Sequence, residues 1–135
     1  MSKVGFCYDK QFGDCIVKFY INPESIQIYM KKEGAIGPRI GSCECSKLKD
    51  NIWYFNRLYV HSDFRGNHYG SILLDELLKI IKEEGYILNL DINAYPEPSA
   101  LSYEDLEAFY VRHGFVKTLQ KGVIDYETYY YNAFI

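Results

Sequence analysis

The stretch from Leu58 to Gly70 joins two halves of opposite character, and only a fold that absorbs this junction is open to the chain. Upstream the apolar residues recur with the two-residue period of strands, and downstream with the period of a helix. Leu58, Tyr59 and Val60 end the last strand-like run, a polar loop carries Arg65 and Gly66, and a helical pattern opens near Gly70. The first turn of a helix leaves backbone N–H groups unpaired at the positive end of the macrodipole, so a glycine-bordered loop leading into one is suited to hold an anion. Gly66 and Gly70 would let the backbone close around a phosphate where a Cβ would stand in the way. Arg65 adds a guanidinium able to pair with phosphate oxygens.

Before the junction, strands are expected over 15–21, 25–30, 41–47 and 53–60, with Asn22-Pro23-Glu24, Glu33-Gly34, Gly37-Pro38 and Lys49-Asp50-Asn51 as the breaks of an antiparallel meander. No helical period precedes Gly70. After it, Leu73, Leu74, Leu77, Leu78 and Ile81 fall on one stripe of a helix over about 70–84 that Gly85 ends, with Asp75, Glu76, Lys79, Lys82 and Glu83 expected to face water. A strand over 87–93 alternates Leu88, Leu90 and Ile92 with Asn89, Asp91 and Asn93, a polar face suited to a cleft wall. The proline-bearing loop 95–100 is irregular. Ser102 then caps a second helix, with Asp105 three residues on and Leu101 stapled to Leu106. Leu106, Phe109 and Tyr110 share its inner face and Gly114 stops it, before strands over 115–119 and 125–132 joined by Lys121-Gly122.

The 135 residues are expected to form a single domain spanning 1–135. A net charge of −3 speaks against nucleic acid as the main partner, so phosphates must be met locally. Four cysteines with no partner histidines at ligand spacing favour buried structural thiols over a metal site or disulfides, with Cys43 and Cys45 on one face of a strand. The apolar runs are too short to span a membrane, and a cytoplasmic location with no membrane partner is expected.

The spacing Arg65-Gly66-Asn67-His68-Tyr69-Gly70 resembles the coenzyme-A-binding motif of the GNAT N-acetyltransferase superfamily, R/Q-x-x-G-x-G/A, with His68 where the family most often has glycine. About 40 residues on, Leu106 to Phe115 resembles the family's second motif, F-Y-x-x-x-G-F, and the likeness covers Trp53 to Thr118. The resemblance implies an α/β (α+β) fold: a mixed, mostly antiparallel sheet with flanking helices. The N-terminal half is shortened, because the family usually places two helices between its first two strands.

It further implies acetyl-coenzyme A as donor, held by backbone groups of Leu58, Tyr59 and Val60 along the pantetheine arm and by Arg65, Gly66, Asn67, His68, Tyr69, Gly70 and Ser71 at the phosphates. Tyr110 matches the general acid for the departing thiolate. Asp91 is a candidate base, directly or through water, and Tyr54 stands where some relatives place a glutamate. His61 is expected to cap a loop, His68 to face the phosphates, and His113 to sit in a helix's last turn, where a cation is favoured. The implied reaction is direct attack by a primary amine, on a small molecule or a protein, in a ternary complex without metal or acyl-cysteine, by a monomer or homodimer. Asp91, Glu97, Glu104 and Asp105 would suit a cationic acceptor. His68, the short first half and the lack of an evident base favour a rival, a non-catalytic coenzyme-binding or regulatory protein of the same fold. A third reading is an α/β interaction module without coenzyme.

Overall fold

Alternating apolar side chains build five successive antiparallel strands in the computed structural model, β1 (Phe6–Phe12), β2 (Cys15–Ile21), β3 (Ser25–Lys32), β4 (Gly41–Lys49) and β5 (Ile52–Val60). The structure describes residues 6–34, 39–64, 68–91, 102–120 and 126–132. Arg65, Gly66, Asn67, the loop 95–100, Leu101, Ile92, Asn93 and Lys121-Gly122 lie outside these. The turns form where the chain supplies the chemistry for them. Gly13 and Gly34 adopt left-handed backbone, and the Asn22 side chain accepts the N–H groups of Glu24 and Ser25, each at 2.8 Å.

A 3-10 turn (Ser62–Phe64) leads toward α1 (Tyr69–Glu84), followed by β6 (Ile87–Leu90), α2 (Tyr103–Arg112), β7 (Val116–Gln120) and β8 (Tyr126–Asn132). One eight-stranded sheet results, in the order β1-β2-β3-β4-β5-β6-β8-β7, antiparallel except where β5 and β6 run parallel. Among the described residues no α-helix precedes Tyr69, in keeping with the expected shortened half.

The stripe Leu73, Leu74, Leu77 and Ile81 is fully buried where α1 packs on β3, β4 and β5, against Ile28, Met30, Cys43 and Trp53. Burying each such side chain stabilises by about 1.5–3 kcal/mol, which outweighs the helix propensity of any one residue. Gly85 ends α1 in left-handed conformation, its N–H bonded to the Lys82 carbonyl and that of Tyr86 to the Ile81 carbonyl.

One expectation on this helix fails. Glu76 is not on the wet side but 4% exposed, its carboxylate held by Lys10 Nζ at 2.9 Å and Lys79 Nζ at 3.1 Å. Lys10 comes from β1, so an edge strand covers a helix face that local periodicity assigns to water. Cys43 and Cys45 do share a buried face. Burial pushes the Cys45 thiol up to about 12 and the Cys43 thiol well above its ordinary value. Among the described residues no cluster of His, Cys, Asp and Glu could hold a metal ion, and no helix is long and apolar enough to cross a membrane.

Candidate active site

The parallel pairing at the centre of the sheet is short. The parallel ladder pairs Ile52 with Ile87, Trp53 with Leu88 and Tyr54 with Asn89, and ends there, while β5 continues to Val60 along β4. Pairing between β4 and β5 also slips: Glu44 lies opposite Arg57 and Cys45 opposite Phe55, so Asn56 is the extra residue of a bulge. A bulge bends and twists its strand, and this one sits just past the last β5–β6 pair. Leu58, Tyr59 and Val60, opposite Cys43, Ser42 and Gly41, therefore lie on the part of β5 beyond its last pair with β6. Gly41 permits the close approach of β4: a Cβ there would lie 2.6 Å from the Tyr59 carbonyl oxygen.

After β5 come the 3-10 turn and, from Tyr69, α1. The His61 N–H bonds to the Ile40 carbonyl at 2.8 Å, and His61 Nδ1 accepts the Asp63 N–H at 3.2 Å, so His61 caps the loop as expected. His68, exposed, is the N-cap of α1 at φ 63° and ψ 14°. This is the left-handed conformation that glycine adopts most easily and that histidine tolerates better than most residues. The backbone shape that a glycine would give thus survives at His68.

Tyr69, Gly70 and Ser71 form the first turn, where amides have no partner within the helix. Tyr69 packs edge-on to Phe64. A Cβ on Gly70 would meet Val60 Cγ2, Phe109 Cζ and Leu58 Cδ2 at 3.6–3.9 Å, ordinary contacts with β5 and α2. These contacts correct the expectation for Gly70: a methyl there faces protein side chains.

Helix α2 is set by its cap, with Ser102 Oγ accepting the Asp105 N–H at 3.2 Å. Tyr110 is 6% exposed and meets Phe55, Phe109 and Phe115 edge-on, with ring centroids 5.8, 5.3 and 5.6 Å away. Phe55 directly follows the last β5 residue paired to β6, so Tyr110 lies beside the end of that pairing. Alternation along β5 sends Tyr54 to the opposite face. There its hydroxyl donates to Asp91 Oδ2 at 3.1 Å, immediately after β6 ends. Tyr110 and Asp91, the acid and base proposed from sequence, thus lie near the end of the β5–β6 pairing on opposite faces of the sheet.

Two features escaped the sequence reading. His113, at the C-cap of α2, bridges α1: its Nε2 is 3.3 Å from Ser71 Oγ and its Nδ1 is 2.9 Å from Asp75 Oδ1. The four-residue spacing of Ser71 and Asp75, one helical turn, was the available signal. Tyr129 of β8, 1% exposed, donates to Glu107 of α2 and lies 3.2 Å from the Tyr103 hydroxyl. Burial, then the Glu107 carboxylate, raises the Tyr129 phenol above its ordinary value, so it stays protonated and pins α2 to the sheet.

The sequence model of the acetyltransferase (GNAT) domain matches residues 3–117. The PaiA N-acetyltransferase of Thermoplasma acidophilum, solved in complex with coenzyme A, is similar in structure at 20% identity and a TM-score of 0.58, over 81% of this chain and 61% of that one. The ribosomal-protein-S18-alanine N-acetyltransferase of Escherichia coli superposes with a TM-score of 0.62 at 14% identity, over 83% of this chain and 71% of its own. The anti-CRISPR protein AcrVA5 matches at 20% identity and a TM-score of 0.55, over 81% of this chain and 99% of its own length. The chain thus spans about three fifths of the PaiA enzyme's length and nearly the whole of the anti-CRISPR protein's. A search of curated proteins by sequence found no match. A family match over most of the chain, on a sheet with one parallel pair at its centre and a helix N-terminus following β5, places this protein in the GNAT acetyltransferase family.

Proposed function

We propose that the protein transfers an acetyl group from acetyl-coenzyme A to a primary amine by direct attack within a ternary complex. The observation that carries this reading is β5 running on past its last pair with β6 toward the first turn of α1, with Tyr110 packed on Phe55 just past that pair. The donor set fits the coenzyme. Strand edge suits the amide-bearing pantetheine arm, and helix amides suit phosphates. Coenzyme A supplies an activated thioester; the chain holds and orients it.

In this reading backbone groups of Leu58, Tyr59 and Val60 align the arm, and the amides of Tyr69, Gly70 and Ser71 hold the phosphates, with Arg65, Gly66, Asn67 and His68 completing the loop. Holding both reactants in one cleft supplies much of the rate. Tyr110 delivers a proton to the leaving sulfur. Asp91, oriented by the Tyr54 hydroxyl, takes the proton from the attacking amine on the opposite face. The buried thiols of Cys43 and Cys45, held protonated, are unsuited to carry the acyl group.

The test is calorimetric titration with acetyl-coenzyme A, followed by an amine panel scored by release of free thiol. Saturable binding with amine-dependent thiol release supports the enzyme. Binding without release across small amines and lysine peptides supports the coenzyme-binding alternative, and no binding refutes both.

A further inference from the structure

Resting on the coenzyme site proposed above, the geometry of Ser71, His113 and Asp75 points to a residue role outside both sequence motifs' usual assignments. We propose that His113 is a positioning residue which, when protonated, turns the Ser71 hydroxyl into a donor for the bound phosphate, so that coenzyme binding takes up a proton. The three side chains form one hydrogen-bonded line, from Asp75 Oδ1 to His113 Nδ1 at 2.9 Å and from His113 Nε2 to Ser71 Oγ at 3.3 Å.

A carboxylate only accepts hydrogen bonds, so the nitrogen facing Asp75 carries a proton in either charge state. In the neutral imidazole Nε2 is then a bare acceptor. The Ser71 hydroxyl donates its hydrogen inward to it and presents only lone pairs to an anion. In the imidazolium Nε2–H donates to Ser71 Oγ, and the hydroxyl hydrogen is released to point outward. Ser71 lies in the first turn of α1, among the amides assigned to the phosphates. An anion there therefore binds the protonated line and is disfavoured by the neutral one.

The His113 side chain is 13% exposed, with the Phe109 ring 4.7 Å away, so its charge is poorly screened. The charged groups around it are Asp75 from α1, with Lys79 one turn further on and paired to Glu76, and Arg112 on α2, whose guanidinium lies 5.9 Å from the Phe109 ring. At this junction β5 contributes apolar Leu58 and Val60. The line also joins α2, which carries Tyr110, to the helix assigned to the phosphates.

Titrating coenzyme A calorimetrically across ~pH 5–8, in two buffers of different ionisation enthalpy, tests this. The parent should take up protons on binding, with Kd rising as the pH rises through that range. His113→Gln places a permanent N–H donor near Nε2, and should bind without the proton uptake and more tightly than the parent at high pH. Ser71→Ala should lose the same dependence, and adding His113→Gln to it should cause no further change. Asp75→Asn, which keeps the histidine but removes the carboxylate, should shift the dependence to lower pH and guards against a His113 variant that fails to fold. The coenzyme's own phosphate titration is common to all variants, so the readout is the difference between them. Equal pH slopes in the parent and His113→Gln overturn this inference alone. Absence of coenzyme binding at every pH overturns the proposed function with it.

Discussion

Replacing Gly41 with alanine puts a methyl where the fold has no room for one. Its Cβ would stand 2.6 Å from the Tyr59 carbonyl oxygen, 3.0 Å from Leu73 Cδ1 and 3.4 Å from Val60 Cα. The leucine methyl can swing aside. The two β5 backbone atoms cannot, so β4 and β5 must part by about 0.8 Å before the Tyr59 contact reaches an ordinary 3.4 Å. Overpacking of this kind costs about 1–3 kcal/mol, offset by about 0.4–1 kcal/mol from the lost flexibility of glycine in the unfolded chain. The net loss of about 1–2 kcal/mol lowers the melting temperature by roughly 4–8 °C in a domain of this size. Because the displaced carbonyl belongs to the part of β5 assigned to the pantetheine, Kd for acetyl-coenzyme A should rise as well. Gly70→Ala is the matched control: its methyl meets Val60, Phe109 and Leu58 at 3.6–3.9 Å, and helix propensity adds up to about 1 kcal/mol of stability. Thermal unfolding by circular dichroism, with calorimetric titration of the coenzyme, reads both. A Gly41→Ala protein melting within about 1 °C of the parent would refute the reasoning.

Tyr110→Phe should lower turnover by about 10²–10⁴ with coenzyme affinity retained; unchanged turnover at saturating substrates removes Tyr110 from the mechanism. Glu76→Gln should lose about 1–2 kcal/mol in urea unfolding, less than a fully buried pair because Lys10 and Lys79 are 44% and 61% exposed and can rehydrate; no loss would mean the carboxylate is not held as described. A thiol reagent should titrate a single cysteine, the exposed Cys7, in the native protein and four after denaturation. With the Cys45 thiol at about 12, only ~10⁻⁴ of it is thiolate at pH 8. Cys43 and Cys45 keep protons in the folded state that the unfolded chain gives up, so stability should fall as pH climbs above their ordinary value of 9.0; a flat alkaline limb in pH-dependent urea unfolding would contradict this.

What the sequence made legible was local. The leucine stripe of α1, the Ser102 cap, the shared face of Cys43 and Cys45 and the alternation of β2 and β3 depend on neighbours within a few positions, and each is found as expected. The family resemblance puts Leu58, Tyr59 and Val60 on a strand, and they lie on β5 beyond its last pair with β6; their own side chains say nothing about where that ladder ends. The bulge at Asn56 is equally hidden, since it reads as an ordinary strand residue until its partners on β4 are known. Glu76 was misassigned because its partner, Lys10, is 66 positions away on an edge strand. His113 was read as a helix-end cation, yet its neighbours Ser71 and Asp75 lie about forty residues earlier. In each case the deciding contact is long-range, which no window along the chain contains.

The order of the strands bears on how the protein is made. β8 is inserted between β6 and β7, so the second parallel strand gains its other neighbour only from residues 126–132, and Tyr129 fills the core from there. During synthesis the ribosome releases the β1–β5 meander early, whereas the pocket's far wall waits for the last of these segments to emerge. A nascent polypeptide stalled before Tyr126 would present an open β6 edge to chaperones or to its neighbours.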